Sequence, residues 1–146
     1  MKIKVAWIGK TKDPAIQFLT DEYLKRLSRY AEAEGASLKD ESALLALAAK
    51  GQQKHRLILL DGRGKELSSE QLAQLIADHR DRNPLPLLFA VGGADGFSDQ
   101  ARRAAGFTLS LSKMTLAHEL ARVVLLEQLY RAFTILQGHP YHLGHG

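Results

Sequence analysis

Residues 109–146 read LSLSKMTLAHELARVVLLEQLYRAFTILQGHPYHLGHG, and the fold is decided here. Ser110 and Ser112 alternate with Leu109 and Leu111, the period of a strand, and Thr115 then offers a hydroxyl suited to capping a helix start. The spacing predicts a long helix over about 116–137. Its apolar positions fall at 116, 120, 123, 124, 126, 129, 130, 133 and 136, but also at 117, 121, 125 and 132. An amphipathic helix on a single core would show one clean polar face, whereas this one keeps only a narrow polar strip. Either it is buried centrally in its own domain, or it packs on its core with one side and on a second subunit with the other. In a chain of 146 residues the second arrangement is the expected one.

Upstream, strands and helices alternate. Residues 2–8 set Ile3, Val5 and Trp7 against Lys2, Lys4 and Ala6, and Asp13-Pro14 opens a helix reaching about Tyr30. A weak strand over 36–39 precedes a short Ala/Leu helix over 41–50. Residues 56–60 form an apolar strand, broken by the loop Asp61-Gly62-Arg63-Gly64-Lys65. Ser68 and Gln71 then supply a capping box, with Leu67 and Leu72 placed as a hydrophobic staple, for a helix to about Arg80. The all-apolar strand 87–91 ends in Gly92-Gly93-Ala94-Asp95-Gly96, and Ser98 caps a helix to about Ala105. All-apolar strands interleaved with helices imply an α/β fold with a mostly parallel sheet and helices on both faces. No linker, repeat or low-complexity segment interrupts it, so residues 1–146 are expected to form a single domain.

Composition sets the outer limits. At 45% hydrophobic the chain can build a core without staples. It has no Cys, which removes disulfides, thiolate nucleophiles and Cys-based zinc sites. The opening MKIKVAWIGK is too short an apolar run for a signal peptide and no stretch spans a membrane, so a cytoplasmic protein is expected. A formal net charge of +4 and a pI of about 9.4 are compatible with a polyanionic partner. Lys10, Lys12, Lys25, Arg26 and Arg29 cluster around the first helix, as a solvated face or as a patch that follows phosphates.

Three units in the second half share one design: apolar strand, small-residue loop, helix. In a parallel sheet such loops lie beyond the carboxyl ends of the strands, where ligands bind in this class. The loops are DGRGK, GGADG and SKMT. GGADG has Val91 where a dinucleotide GxGxxG needs its first Gly, and DGRGK lacks the spacing of a phosphate-binding GxxxxGK[ST]. Each Gly alone reads as turn chemistry. Together the three loops would let backbone approach a flat hydrogen-bonding ligand such as an adenosine, with few cations ready for a triphosphate.

The pieces LLDGRGKELSS, LLFAVGGADGFS, LSLSKMTLAHELARVVLLEQLYRA and the closing HPYH resemble the RlmH-type ribosomal RNA large subunit methyltransferases of the SPOUT class, and MKIKVAWIGK resembles that family's first strand. The resemblance spans nearly the whole chain. It implies a homodimeric enzyme that uses S-adenosylmethionine to methylate ring nitrogen N3 of a pseudouridine in 23S rRNA within the ribosome. It also implies a deep trefoil knot at the C-terminus, which general topology rules would not suggest. By position, Leu60, Gly93 and Leu111, Ser112, Lys113, Met114, Thr115 and Leu116 match the family's cofactor cradle.

Methyl transfer from a sulfonium is an in-line displacement, so the protein must position two reactants and help N3 lose its proton. No metal or covalent nucleophile is required. A nearby base or a stabiliser of the anion should help, and the catalytic candidates are His118, Tyr141 and His142. Each has a duller reading. His118, at the start of the last helix, could bond its own backbone. Tyr141 and His142 could belong to a disordered tail, although the resemblance implies that the tail helps form the substrate site. Glu127 and Arg131 read as an i, i+4 ion pair. Arg122, on an apolar strip, needs a carboxylate or an RNA phosphate as partner.

In the family a Lys or Arg commonly follows PYH, where this chain has Leu143, which removes a cation from RNA contact; His145 could substitute when protonated. His139, His142 and His145 recur every three residues, but without carboxylates or Cys nearby no metal site is expected. Two other readings stand beside the leading one: a related knotted methyltransferase acting on transfer RNA, and a non-catalytic ribosome-binding module. A small protein offers little surface for reading RNA shape, so assembled ribosomes are the expected substrate.

Overall fold

The computed structural model describes residues 1–49 and 55–143, with side chains described through Tyr141. Five strands, β1 (Lys2–Ile8), β2 (Glu32–Leu38), β3 (Arg56–Glu66), β4 (Leu87–Val91) and β5 (Phe107–Ser110), form one sheet in the order β2-β1-β4-β3-β5. Every neighbouring pair is parallel. Helices α1 (Pro14–Leu27), α2 (Glu41–Ala48), α3 (Ser69–Arg82), α4 (Asp99–Ala104) and α5 (His118–Leu136) connect or follow the strands.

Burial explains the strand order. β4 is apolar at all five positions because it is central and covered twice: Leu87, Phe89 and Val91 join α1, α3 and α5 on one face, while Leu88 and Ala90 join α2 and α4 on the other. β2, at the edge, is half-buried at best, and its pattern EAEGASL is correspondingly thin. It runs from Glu32, not only over 36–39. Gly35 is required in it, since a Cβ there would stand 2.8 Å from the Trp7 indole.

Local chemistry starts the helices as expected. Asp13 accepts the Ala15 N–H at 2.9 Å ahead of Pro14, and Asp40 accepts that of Ala43. Ser68 and Gln71 make the reciprocal capping box, with Leu67 packed beside the core that holds Leu72. Ser98 caps α4. α1 stops at Leu27, where the tighter bonds Arg29 N–H to Arg26 O and Tyr30 N–H to Leu27 O replace the α pattern. Lys50, the expected end of α2, lies outside the described residues.

Two boundaries differ more. β3 does not end at Leu60: its ladder with β5 jumps from Leu60 opposite Leu109 to Lys65 opposite Leu109, and the strand reaches Glu66. The four residues between bulge out of the ladder. Gly64 allows the return, because a Cβ there would lie 2.6 Å from the Thr108 carbonyl oxygen. At the other boundary Thr115 caps nothing. Ser110 Oγ donates to Ser112 O at 3.0 Å, Ser112 Oγ accepts from the Met114 N–H at 2.9 Å, and the chain leaves the sheet there. It becomes helical only at His118, after Ala117, with no side-chain cap.

α5 buries Leu125, Leu126, Leu129, Ala132 and Phe133 against the sheet and its neighbours α1 and α3. Its other side leaves Leu120 52% and Val124 36% exposed, and α1 exposes Phe18 (69%) and Leu19 (36%). Gly138, at φ +70°, closes the helix, with the His139 N–H donating to Thr134 O at 2.8 Å. A 3-10 turn, Pro140–Leu143, follows. No helix among the described residues is long and apolar enough to cross a membrane.

Candidate active site

β4, β3 and β5 are neighbours, so the loops leaving their carboxyl ends meet. Between them lies a cleft of about 400 Å³. Its walls include Leu60, Gly93 and all six residues of the stretch Leu111, Ser112, Lys113, Met114, Thr115 and Leu116, so every expected cradle residue converges on one space. Gly62 and Gly93 line it, and an added Cβ would meet nothing within 4 Å at Gly62 and only Ile8 Cγ2, at 4.0 Å, at Gly93. Glycine at these two places therefore keeps room for something other than protein. The Gly96 N–H donates back to Gly93 O at 3.1 Å, and with Gly96 at φ +72° the GGADG loop is a tight turn. A flat ligand held by backbone groups fits these walls.

His118 stands on the cleft wall at the first turn of α5, half-buried. Among the described residues its ring makes no hydrogen bond to the backbone. The next residue works differently: Glu119 accepts the Lys12 and Asp13 N–H groups at 3.2–3.3 Å, fastening the β1–α1 loop to the start of α5.

Tyr141 is not at the cleft. Its ring packs edge-on against Tyr130 at 4.8 Å, and its hydroxyl donates to Glu127 Oε1 at 3.2 Å. Arg131 lies 5.0 Å over the same ring and pairs with Glu127 as the i, i+4 spacing predicts. Burial first, then the neighbouring Tyr23 and Glu127, push the Tyr141 phenol well above its ordinary value, so it is a proton donor at neutral pH and no base. Glu127 sits nine residues beyond His118, about 13 Å along a helix rising 1.5 Å per residue. One chain thus keeps His118 and Tyr141 apart. His142 occupies the 3-10 turn, but its side chain, like His145 altogether, lies outside the described residues. Among the described residues no group of three His, Cys, Asp or Glu could hold a metal.

Arg122 finds neither a carboxylate nor a route to phosphate. At 1% exposure, Nη1 donates to Thr11 Oγ1 at 2.7 Å and Thr20 Oγ1 at 3.4 Å, and the guanidinium lies 4.0 Å over the Trp7 ring. Its Nε has no partner, and burial lowers its pKa against the pull of Glu119. The hydroxyls and the indole face take the place of the expected anion.

Sequence reasoning missed Asp61 and Arg102, which also line the cleft. Arg102 Nε and Nη2 both reach Asp61 Oδ2 at 2.9 Å. Burial would raise the Asp61 pKa, but the Arg63 N–H and the Arg102 guanidinium outweigh it and hold the carboxyl below its usual range. The two residues are 41 positions apart, so only the Asp99–Arg102 spacing on α4 was visible beforehand.

The family model described as "Predicted SPOUT methyltransferase" matches residues 1–142. A protein of Koribacter versatilis named ribosomal RNA large subunit methyltransferase H is 56% identical over 146 residues, covering 99% of this chain and 100% of that one. A protein of the same name from Geotalea daltonii is 42% identical, covering 97% and 99%. Among solved structures, a Legionella pneumophila methyltransferase in complex with bound SAM superposes with a TM-score of 0.52 at 17% identity, over 90% of this chain and 66% of the longer one.

Proposed function

Because the chain belongs to the SPOUT methyltransferases, we propose that it transfers a methyl group from S-adenosylmethionine to 23S rRNA, at N3 of a pseudouridine in the assembled ribosome. The observation that carries this reading is the convergence of the eight cradle residues on one glycine-walled cleft, beside a histidine whose ring is free to meet a ligand. S-adenosylmethionine supplies a methyl already activated by its sulfonium. The protein holds and orients. Backbone groups of Leu60, Gly93 and residues 111–116 fix the adenosine end, and the glycines exclude side chains from that space. With that methyl donor bound, His118 would be the group that takes the N3 proton of the target base. Tyr141, which keeps its own proton, would stabilise charge on the target ring by turning its hydroxyl from Glu127 to donate a hydrogen bond to it.

That last role needs the tail near a cleft, and within one chain the two are apart. A homodimer answers the separation. The exposed Phe18, Leu19, Leu120 and Val124 on α1 and α5 form the apolar face through which two copies would pack, close to the start of α5 and the cleft mouth. The tail of one copy would then approach the cleft of the other. The family reading also implies that the segment through α5 is threaded as a knot. Of the basic cluster, Arg26 is engaged by Glu22 and the Tyr23 ring, leaving Lys10, Lys12, Lys25 and Arg29 exposed for phosphates.

The test is methyl transfer from labelled S-adenosylmethionine to ribosomes lacking the modification, with the RNA digested and the product nucleoside identified by mass spectrometry. Label in N3-methylpseudouridine is the expected result. Cofactor binding without label in ribosomal RNA would favour the transfer RNA or non-catalytic reading.

A further inference from the structure

Two of the three loops around the cleft are joined through one side chain. β3 leaves its ladder after Leu60 and rejoins it at Lys65, while the GGADG loop runs from β4 into α4, which carries Arg102. Arg102 places Nε and Nη2 on Asp61 Oδ2, both at 2.9 Å, and Nη1 on Asp99 Oδ1 at 2.8 Å. The other Asp61 oxygen accepts the Arg63 N–H at 2.9 Å, so this carboxylate shapes its own loop and grips the neighbouring helix at once. The start of α4 is tied down separately, where Ser98 donates its N–H and its hydroxyl to the Glu41 carboxylate of α2. Helix α4 is thus pinned at both ends, once to α2 and once to the loop that begins at the cradle residue Leu60.

We propose that Arg102 is a positioning residue for the cofactor: through Asp61 it sets the spacing between the β3 exit and the GGADG turn, and so the width of the slot that takes the adenosine. This rests on reading the cleft as the S-adenosylmethionine site. All three guanidinium nitrogens are already engaged by carboxylates, so Arg102 acts on the cofactor through the walls and not by gripping its amino-acid carboxylate. The side chains of Asp61 and Arg102 are only 11% and 26% exposed, which keeps the pair from being a freely moving surface contact.

Calorimetric titration of the intact protein with S-adenosylmethionine and with 5′-methylthioadenosine, which lacks the amino-acid half, separates the possibilities. Arg102→Met should weaken both ligands by about tenfold, the cost of a misplaced wall. Arg102→Lys should recover most of the loss, and turnover at saturating cofactor should stay within about twofold. Asp61→Asn, which keeps the side-chain shape, should reproduce the Arg102→Met effect and serves if that variant folds poorly. Unchanged affinity in both variants overturns the proposal. So does a loss confined to S-adenosylmethionine, which would make Arg102 a direct contact of the amino-acid end. Failure of the unmodified protein to bind either ligand would overturn the reading of the cleft itself.

Discussion

The two ends of α5 are held in opposite ways. At its start His118 faces open space on the cleft wall, its ring nitrogens uncommitted. Toward its end Glu127, Arg131 and Tyr141 bond to one another, and Tyr130 closes over the tail ring. The half-buried imidazole on the cavity wall leaves room for a ligand to bond it. The tail cluster is complete without a ligand. It is a finished surface, ready to meet a partner or substrate without first having to order itself.

The sharpest way to break this contrast is to fill the open end. Gly93→Val should abolish measurable cofactor binding while the melting temperature stays near that of the parent, because the new Cβ meets only Ile8 at 4.0 Å. Retained calorimetric affinity would remove Gly93 from the cradle. Next in size, His118→Ala should slow methyl transfer by about 10²- to 10⁴-fold, the usual worth of a positioned proton acceptor, with cofactor affinity preserved. An equal loss of affinity would make His118 a binding group.

At the closed end, Tyr141→Phe should lower turnover by about tenfold, a single hydrogen bond's worth, with cofactor affinity unchanged. Its pH signature runs upward. The folded pKa is raised above the unfolded value, so the tail's contribution is complete below about pH 10 and is lost as pH rises through the folded value. In an absorbance titration the late-ionising signal of the parent should be lost in Tyr141→Phe; a high-pH limb that is unchanged by the substitution would mean the tail is not docked. The smallest effect belongs far from both ends. Ser68→Ala removes one half of the α3 capping box and should cost about 1 kcal/mol in denaturant unfolding, with activity untouched.

What could be read beforehand follows from how local each signal is. The strand 87–91, Asp13-Pro14, the Ser68–Gln71 box and the Ser98 cap each use contacts within a few residues, and they stand where the pattern put them. Thr115 failed as a cap because two serines redirect the chain before it, a competition among hydroxyls that spacing does not rank. The extension of β3 to Glu66 and the Arg102–Asp61 pair depend on partners tens of residues away, and so does the seat of Arg122 among Thr11, Thr20 and Trp7. At the site, residues 60, 93 and 111–116 were named from likeness to a family, and they line one cleft. The separation of His118 from Tyr141 carries no trace in either sequence stretch, because it is set by where Gly138 and Pro140 turn the chain after α5.

The strand order has a consequence for how the chain comes into being. β4 lies between β1 and β3, so Ile3, Val5 and Trp7 have no inner partner until Leu87, Phe89 and Val91 have been made, and one face stays uncovered until α5 follows. Only the β1–β2 edge can pair early. During synthesis from the N-terminus, β1 and β3 must wait for β4, and one face of the sheet waits for α5 near the end of the chain. Folding is therefore dominated by distant pairings, the kind that closes large loops before it gains contacts.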